Sequence, residues 1–530
     1  MKYTITLILI FCRYTFSYSQ SVTISPGNTQ AGIISNSVNN GILPPRMNYT
    51  QILAIASPVE GTMVYDTEFK CLRVYNGSKW ICLNDRLPGP NDIQGNFIGL
   101  EYGNTLPDHL YYNNHGSEPI DIKVDITGSI YVVFSNFNKD PLESGDGTRS
   151  RTIFLQKYNS SFQIIWSKTL GTLNLLDFNS FRIKMNLDSN NNIYITGYDN
   201  GKILFGDGST NNVGMFLVKY NSDGDFIFKK ISSGDVCKGL DIKVDANGDI
   251  YVAGEYSGTT IFQNSPYFSL ASLAGSKDAF VAKYNSLGEI VWVASMGGSG
   301  EDYAAKLSVS GSSLVVAGYF TSTALFGNSI SKTSLGGRDI FISKFSTTGS
   351  FLWVNTLGGN GSENLADLNL RNNGDIDLFG DINGILTYYP NPSSNTSTSL
   401  SISANVDLFF MKYFSNGNIQ YGSPILIGGS DNESAGAMVM NGSEDLYFTG
   451  LAGNNFSYRG HLLSSGAFMM KLGVTESWAI GGPSEKGVVM ALNAQGQVFV
   501  SGSISSSKTY FVGNYLTPAT DKCYLWKYSE

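Results

Sequence analysis

The sequence predicts an all-β protein, in which residues 96–530 form a seven-bladed β-propeller of four-stranded blades, closed by an N-terminal strand and preceded by a small α+β head module. Three observations carry this. The 530-residue chain is 42% hydrophobic, 13% aromatic and only 15% charged, with 59 Gly, 30 Tyr and 31 Phe. Aromatic side chains fit a pleated surface and Gly supplies turn geometry, so this composition favours short strands joined by turns in a chain able to bury a large core. Two sequence anchors then recur seven times in constant order. Finally, the last repeat lacks its fourth strand, while a strand-like segment stands unused before the first.

The first anchor is an apolar strand ending in Gly, DIYVAG at 249–254, with copies ending at Phe134, Gly197, Gly318, Gly380, Gly450 and Gly502. The second is FVAKYN around Lys283, with copies at Lys157, Lys219, Lys344, Lys412, Lys471 and Lys527. The blades they define start near residues 120, 182, 240, 305, 366, 436 and 488. In the third, strand a is Leu240–Asp245, and Ala246-Asn247-Gly248 turns the chain into strand b. Strand c is AFVAKYN, and Ser286-Leu287-Gly288 leads to strand d, EIVWVASMGG. Gly at these turns supplies the positive φ that tight hairpins require. Trp292 in strand d is matched by Trp166, Trp353 and Trp478, with Phe228 and Tyr421 substituting. One large aromatic at a fixed strand position reads as packing between neighbouring blades rather than as a ligand platform.

The chain stops at Glu530 directly after the seventh strand c. The segment NFIGLEYGN, Asn96–Asn104, is expected to supply the missing outer strand, with Ile98, Tyr102 and Gly103 where Trp292, Met296 and Gly297 stand in the third blade. Such closure leaves no open seam.

Residues 1–19 read as a signal peptide: Lys2 precedes an apolar run from Ile5 to Phe11, and Ser17 and Ser19 form a small-x-small pattern. Arg13 interrupts the run long before the roughly 20 apolar residues a membrane span needs. Phe11 before Cys12 argues against a lipid anchor, and no transmembrane segment is expected elsewhere. The protein is thus expected to be exported, extracellular or at the outer cell surface, with the periplasm as the alternative. Residues 20–90 form the head module. There Asn48 or Thr50 caps a short helix through Ala56, ended by Pro58. A two-residue turn at Asn76-Gly77 would set Cys71 opposite Cys82, and an exported protein permits a disulfide between them. Cys237 and Cys523 lie in different blades and are expected to be unpaired.

The pattern of strand-Gly, long loop, D-x-F-V-A-K-Y-N, then Trp and Gly-Gly, clearest from Asp241 to Gly359, resembles the SBBP family of bacterial β-propeller repeats. The resemblance covers about four fifths of the chain. It implies a secreted or surface scaffold and no common catalytic residues. It is weakest in the last three blades, where Asp377 replaces an apolar strand residue and Leu472 the aromatic after Lys. GILPPRMNYTQILAIASPVEGTMVYDTEFKCLRVYNGSKWICL, 41–83, resembles a module at the head of surface and tail-fibre-like proteins of Bacteroidetes and their phages.

A formal charge of -8 and a pI near 5.1 exclude a phosphate-backbone partner, which needs clustered Lys and Arg, so no nucleic acid is expected. Only His109, His115 and His461 are present, without H-E-x-x-H, C-x-x-C or G-x-S-x-G, so no catalytic residue, metal or cofactor is assigned. The turn DANGD at Asp245 places its Gly fourth, where a calcium loop needs it sixth, and reads as a plain β-turn. One constellation remains. The links into strand a of blades four to seven carry Asp302, Glu363, Glu433 and Glu485, where blades one to three have Ser117, Ser180 and Cys237. Two readings apply: carboxylates bonding the amides of their own Gly-rich loops, or an acidic arc at the channel mouth for a cation or a basic or sugar ligand. Three functions fit: a binding or adhesion scaffold recognising a glycan, peptide or envelope protein; an accessory subunit of an envelope machine; and a propeller-class polysaccharide lyase or hydrolase.

Overall fold

The computed structural model describes most of residues 34–529; residues 1–33, 84–93, 100–117, 139–149, 175–182, 201–212 and 482–486 and several shorter loop stretches lie outside the description. Two compact units divide the chain, Met1–Asp92 and Ile93–Glu530.

In the first unit, Arg46–Met47 pairs in parallel with Met63–Asp66, which continues antiparallel through Cys71–Tyr75 to Trp80–Leu83. The helix is one short piece, Tyr49–Leu53. Asn48 caps it: its Oδ1 accepts the Gln51 amide at 2.9 Å, and Gln51 Oε1 accepts the Asn48 amide at 3.0 Å, a reciprocal box that satisfies two end donors. The expected extension to Ala56 does not form. Buried Asp66 and Arg73 pair at 2.7 Å beneath the sheet. The Cys hairpin is a correction. Tyr75 pairs with Trp80, so four residues rather than two separate the paired ends, and the register moves by two. Cys82 therefore stands opposite Arg73, and Cys71 opposite Asp66 on the neighbouring strand. The two cysteines do not face each other as the Asn76-Gly77 turn had implied.

Among the described residues of the second unit the regular structure is strand, apart from short 3-10 turns such as Leu273–Gly275. Among its described residues, seven antiparallel meanders of four strands follow in order, with first strands Glu118–Val124, Ile183–Leu187, Cys237–Val244, Tyr303–Ser310, Asn364–Leu370, Ser434–Met440 and Gly487–Leu492. Each first strand touches that of the next meander, and the seventh touches the first, so the cycle of sheets closes. Cores lie between successive sheets: Tyr131 and Leu155 of repeat 1 pack with Ile183 and Phe216 of repeat 2, and Val489 and Phe499 of repeat 7 pack with Ile122 and Val132 of repeat 1. Burying both faces of the second strands, as in Ile250–Ser257 and Ser313–Phe320, suits the apolar, β-branched runs of the first anchor.

The fourth strand of repeat 7 is Gln94–Gly99, paired antiparallel with Lys522–Ser529. Asn96 stands opposite Lys527, whereas Trp292 stands opposite Lys283. Asn96, not Ile98, thus takes the position of Trp292, two residues from the expected register. The segment lacks the Trp that would fix it, and adjacent Phe97 and Ile98 fit either alignment.

The long b-to-c connections are not loose. In repeat 3 the strands Thr259–Asn264 and Tyr267–Ala271 form an extra hairpin, in repeat 4 Thr323–Phe326 and Ile330–Thr333 do so, and in repeat 5 strands b and c extend to Ile376–Tyr388 and Thr398–Tyr413. Each reaches back to the end of the preceding strand d. Gly297 and Gly298 pair with Leu325 and Ala324, and Leu357 and Gly358 with Tyr388 and Thr387. Here the Gly-Gly step is a steric requirement: a Cβ on Gly298 would stand 2.0 Å from the Thr323 carbonyl oxygen, and one on Gly359 1.9 Å from that of Ile385.

Candidate functional site

The two anchors are two halves of one contact. Tyr251 pairs in register with Lys283, and the Lys283 Nζ lies 5.3 Å from the centre of the Tyr251 ring, as Lys157 does over Tyr131, Lys219 over Tyr194 and Lys471 over Tyr447. The same lysine reaches the next repeat. Lys283 Nζ and Trp292 Nε1 both donate to the Thr347 carbonyl at 3.3 and 3.2 Å; Lys344 and Trp353 donate to Ser415 O at 2.9 and 3.2 Å; Lys157 and Trp166 donate to Ser222 O at 3.1 and 3.3 Å. These carbonyls belong to the c-to-d turn of the following sheet. The turn glycines press on the indoles, with a Cβ on Gly349 falling 3.0 Å from Trp292. These Trp residues therefore join neighbouring sheets.

Asp245 in the DANGD turn spends its carboxylate locally, accepting the amides of Asn247 at 2.9 Å and Asp249 at 3.0 Å and the Tyr251 hydroxyl at 3.2 Å. On the inner strands, one register position carries Asp121, Lys184, Asp241, Lys306 and Asp367 in repeats 1 to 5. Each Asp accepts an amide of the next inner strand: Met185, Leu307 and Met438, at 2.9, 2.9 and 3.1 Å. Burial would raise the Asp121 carboxyl, but Lys123 and Lys184 hold it well below the usual range. These charges brace the centre of the cycle.

The acidic residues singled out by sequence sit elsewhere. Glu485 lies outside the described residues. Asp302, Glu363 and Glu433 are all buried, so they do not line an open surface. Each is instead clamped beside a second buried carboxylate on strand c of the preceding repeat. The Asp302 amide donates to Lys277 O at 2.8 Å, the Glu363 amide to Arg338 O at 3.4 Å and the Glu433 amide to Val406 O at 3.1 Å. The residues after those carbonyls are Asp278, Asp339 and Asp407, at most 2% exposed. The pairs Asp278–Asp302 and Asp339–Glu363 thus lie where a Gly-Gly step meets the next repeat's strands, and Asp407–Glu433 lies beside the Gly428-Gly429 step.

Their electrostatics differ from those of surface acids. Burial, and then the neighbouring Asp339, push the Glu363 carboxyl up to about 8. Burial and Asp407 push Glu433 to about 7. Burial lifts Asp302 to about 7 although the Thr321 and Gly298 amides, bonded at 3.0 and 2.9 Å, pull the other way. Amide bonding, the first of the two sequence readings, describes Asp302 fully. It fails for Glu363 and Glu433, neither of which has a hydrogen bond to either side-chain oxygen. Sequence reasoning missed the partner acids, although Asp opens the second anchor in these three repeats and in no other: KDAFVAKY, RDIFISKF and VDLFFMKY.

Residues 23–96 match the family described as the phage tail like trimerisation region. The chain is 26% identical over 262 residues to an uncharacterized WD repeat-containing protein of Acanthamoeba polyphaga mimivirus, covering 39% of this chain and 18% of that protein. It is 27% identical over 135 residues to regulatory protein FlaEY of Caulobacter vibrioides, covering 25% and 14%. The chain therefore spans less than a fifth of the length of either curated relative. Among solved structures, an acylaminoacyl peptidase of Pyrococcus horikoshii aligns with a TM-score of 0.38 at 10% identity, over 76% of this chain and 52% of that one. A polysaccharide lyase aligns with a TM-score of 0.39 at 10% identity, over 81% and 93%.

Proposed function

We propose that this protein is an exported, non-enzymatic binding scaffold of the cell surface, in which residues 23–96 gather three chains and residues 93–530 form a closed seven-bladed propeller of the SBBP type. Its recognition face is the set of b-to-c hairpins in repeats 3 to 5, and its partner is a surface glycan or an envelope protein. One observation carries this reading. The bases of these hairpins are hydrogen-bonded to a neighbouring sheet, while Tyr267, Leu273, Leu325, Ile330, Leu335 and Ile385 on them remain exposed. Large apolar side chains held in water on rigid connections are what a recognition surface presents. The trimerisation match supports the assembly, since three copies of a weak site raise avidity without new contacts.

The test uses the full chain. It should sediment as three times its monomer mass, retain a ligand on a glycan array or capture an envelope protein, and lose that binding in the triple variant Tyr267→Ala, Leu325→Ser, Ile330→Ser. A monomer, or binding unchanged in the variant, contradicts the proposal.

A further inference from the structure

We infer that the pairs Asp339–Glu363 and Asp407–Glu433 are binding sites for a divalent cation of the calcium class, which ties the strand c Asp of one repeat to the link leading into the next. The inference goes beyond the recognition role above and does not depend on what the hairpins bind.

The geometry brings the two acids of each pair to one place. A point at the Cβ position of Gly428 lies 2.4 Å from Asp407 Oδ1 and 3.1 Å from Glu433 Oε2. The two oxygens therefore lie within about 5.5 Å of each other, close to the span of two calcium–oxygen bonds of about 2.3–2.6 Å each. At the other pair, Cβ positions on consecutive Gly358 and Gly359 fall 2.1 Å from Asp339 Cγ and 3.3 Å from Glu363 Oε1. Each pair therefore converges on the same Gly-Gly step.

A buried carboxylate needs a counter-charge, donors or a proton. Glu363 is fully buried and Glu433 is 2% exposed, yet all four of their side-chain oxygens lack a hydrogen-bond partner, as does Asp339 Oδ1. The amides of Gly429 and Gly453 near Glu433, and the amide of Glu363 itself, favour ionisation without reaching hydrogen-bond geometry. Arg338 favours Glu363 ionisation through its charge and donates to the Glu363 backbone carbonyl at 3.5 Å, but another of its nitrogens goes to the Tyr303 hydroxyl at 2.7 Å and none bonds the carboxylate; at position 406 the corresponding residue is Val.

The fold does not need acids at this junction. In repeat 2 the same two places hold Gly214 and Cys237, and Cys237 packs in an apolar cluster. The carboxylates are thus an addition to a junction that folds without them. Hard oxygen donors and nearby backbone carbonyls, with no thiolate or imidazole in the pair, suit calcium better than a soft transition metal. Among the described residues no three His, Cys, Asp or Glu side chains gather, so two carboxylates per ion are completed by main-chain oxygens. Asp278–Asp302 is set apart, because both Asp302 oxygens already accept amides.

The test is calorimetric titration of the EDTA-stripped full chain with calcium chloride, alongside thermal unfolding in calcium and in EDTA. Two ions should bind per chain, calcium should raise Tm by several degrees, and Glu363→Gln and Glu433→Gln should each lower the stoichiometry by one and shrink the calcium-dependent rise in Tm. No heat together with identical Tm in calcium and EDTA overturns the inference, as does unchanged stoichiometry in both variants. A third ion lost only with Asp278→Asn would overturn the argument that unbonded oxygens mark the sites. If either variant fails to fold, the calcium-dependent Tm of the wild type and of the other variant decides.

Discussion

Trp353→Ala tests the inter-sheet joint at its best-defined copy. The indole is 9% exposed and packs in one cluster with Leu365, Ile382 and Tyr388 of the next repeat. Its Nε1 donates to Ser415 O at 3.2 Å, and Gly417 at φ +86° lies against the ring. Truncating a buried aromatic to Ala costs about 3–5 kcal/mol through lost transfer energy and the cavity left behind. The hydrogen bond contributes about 1 kcal/mol more, and less here, because Lys344 Nζ still donates to the same carbonyl at 2.9 Å. Trp353→Phe keeps most of the apolar area and should cost roughly 1 kcal/mol. Adding Lys344→Met to Trp353→Phe leaves Ser415 O without either donor, so the double variant should lose more than the two singles combined, by about 1 kcal/mol. Equilibrium urea unfolding of the full chain, followed by circular dichroism at constant m, reads all four. A Trp353→Ala protein as stable as the wild type, or Phe as costly as Ala, would refute the joint.

Three other outcomes follow from the same geometry. Gly359→Ala places a methyl against the Ile385 carbonyl and should cost more than about 3 kcal/mol, whereas Gly442→Ala, with open space around its Cβ, should stay within about 0.5 kcal/mol in the same unfolding assay. In EDTA, stability should fall as pH rises from about 5 to 9. The folded values of Glu363 near 8 and Glu433 near 7 lie above the ordinary Glu value of 4.5, so the native state holds more protons than the unfolded one across this window. Their contribution is complete below about 4.5 and is lost as pH passes the folded values, with a slope of about 1.4 kcal/mol per unit for each retained proton. A flat or rising profile contradicts the burial of these acids. Removal of residues 94–99 deletes the fourth strand of repeat 7 and should lower Tm and speed hydrogen exchange in Lys522–Ser529 first; an unchanged exchange pattern counts against the closure.

Much of this architecture was legible because its determinants are local and repeated. The Tyr of the first anchor and the Lys of the second are paired by register in repeats 1, 2, 3 and 6, and the Trp sits opposite the anchor Lys in repeats 1, 3, 4 and 6. Three contacts thus recur at fixed spacings, which is what a repeat search detects. The departure at Asp377 also has a physical cause: it pairs with buried Arg371 at 2.8 Å, and Arg371 reaches Glu444 of the next repeat at 2.7 Å, so an ion pair replaces the Tyr–Lys contact.

What the sequence concealed depends on register or on contacts between repeats. The Cys hairpin and the closing strand each slipped by two residues, a shift that leaves apolar alternation intact and so leaves no trace in the pattern. The hairpins inside the long connections carry short alternating runs such as TALF and ISKT, too brief to separate from loop by periodicity. The acids at 302, 363 and 433 were visible as acids. Their burial and their partners were not, because each partner lies 24 to 26 residues earlier in a different sheet.

Electron microscopy of single particles of the full chain tests the central claim most directly. Class averages should show rings of seven lobes around a central channel, grouped in threes. Rings of six or eight lobes, or an open arc with a gap between the first and last repeats, would contradict it.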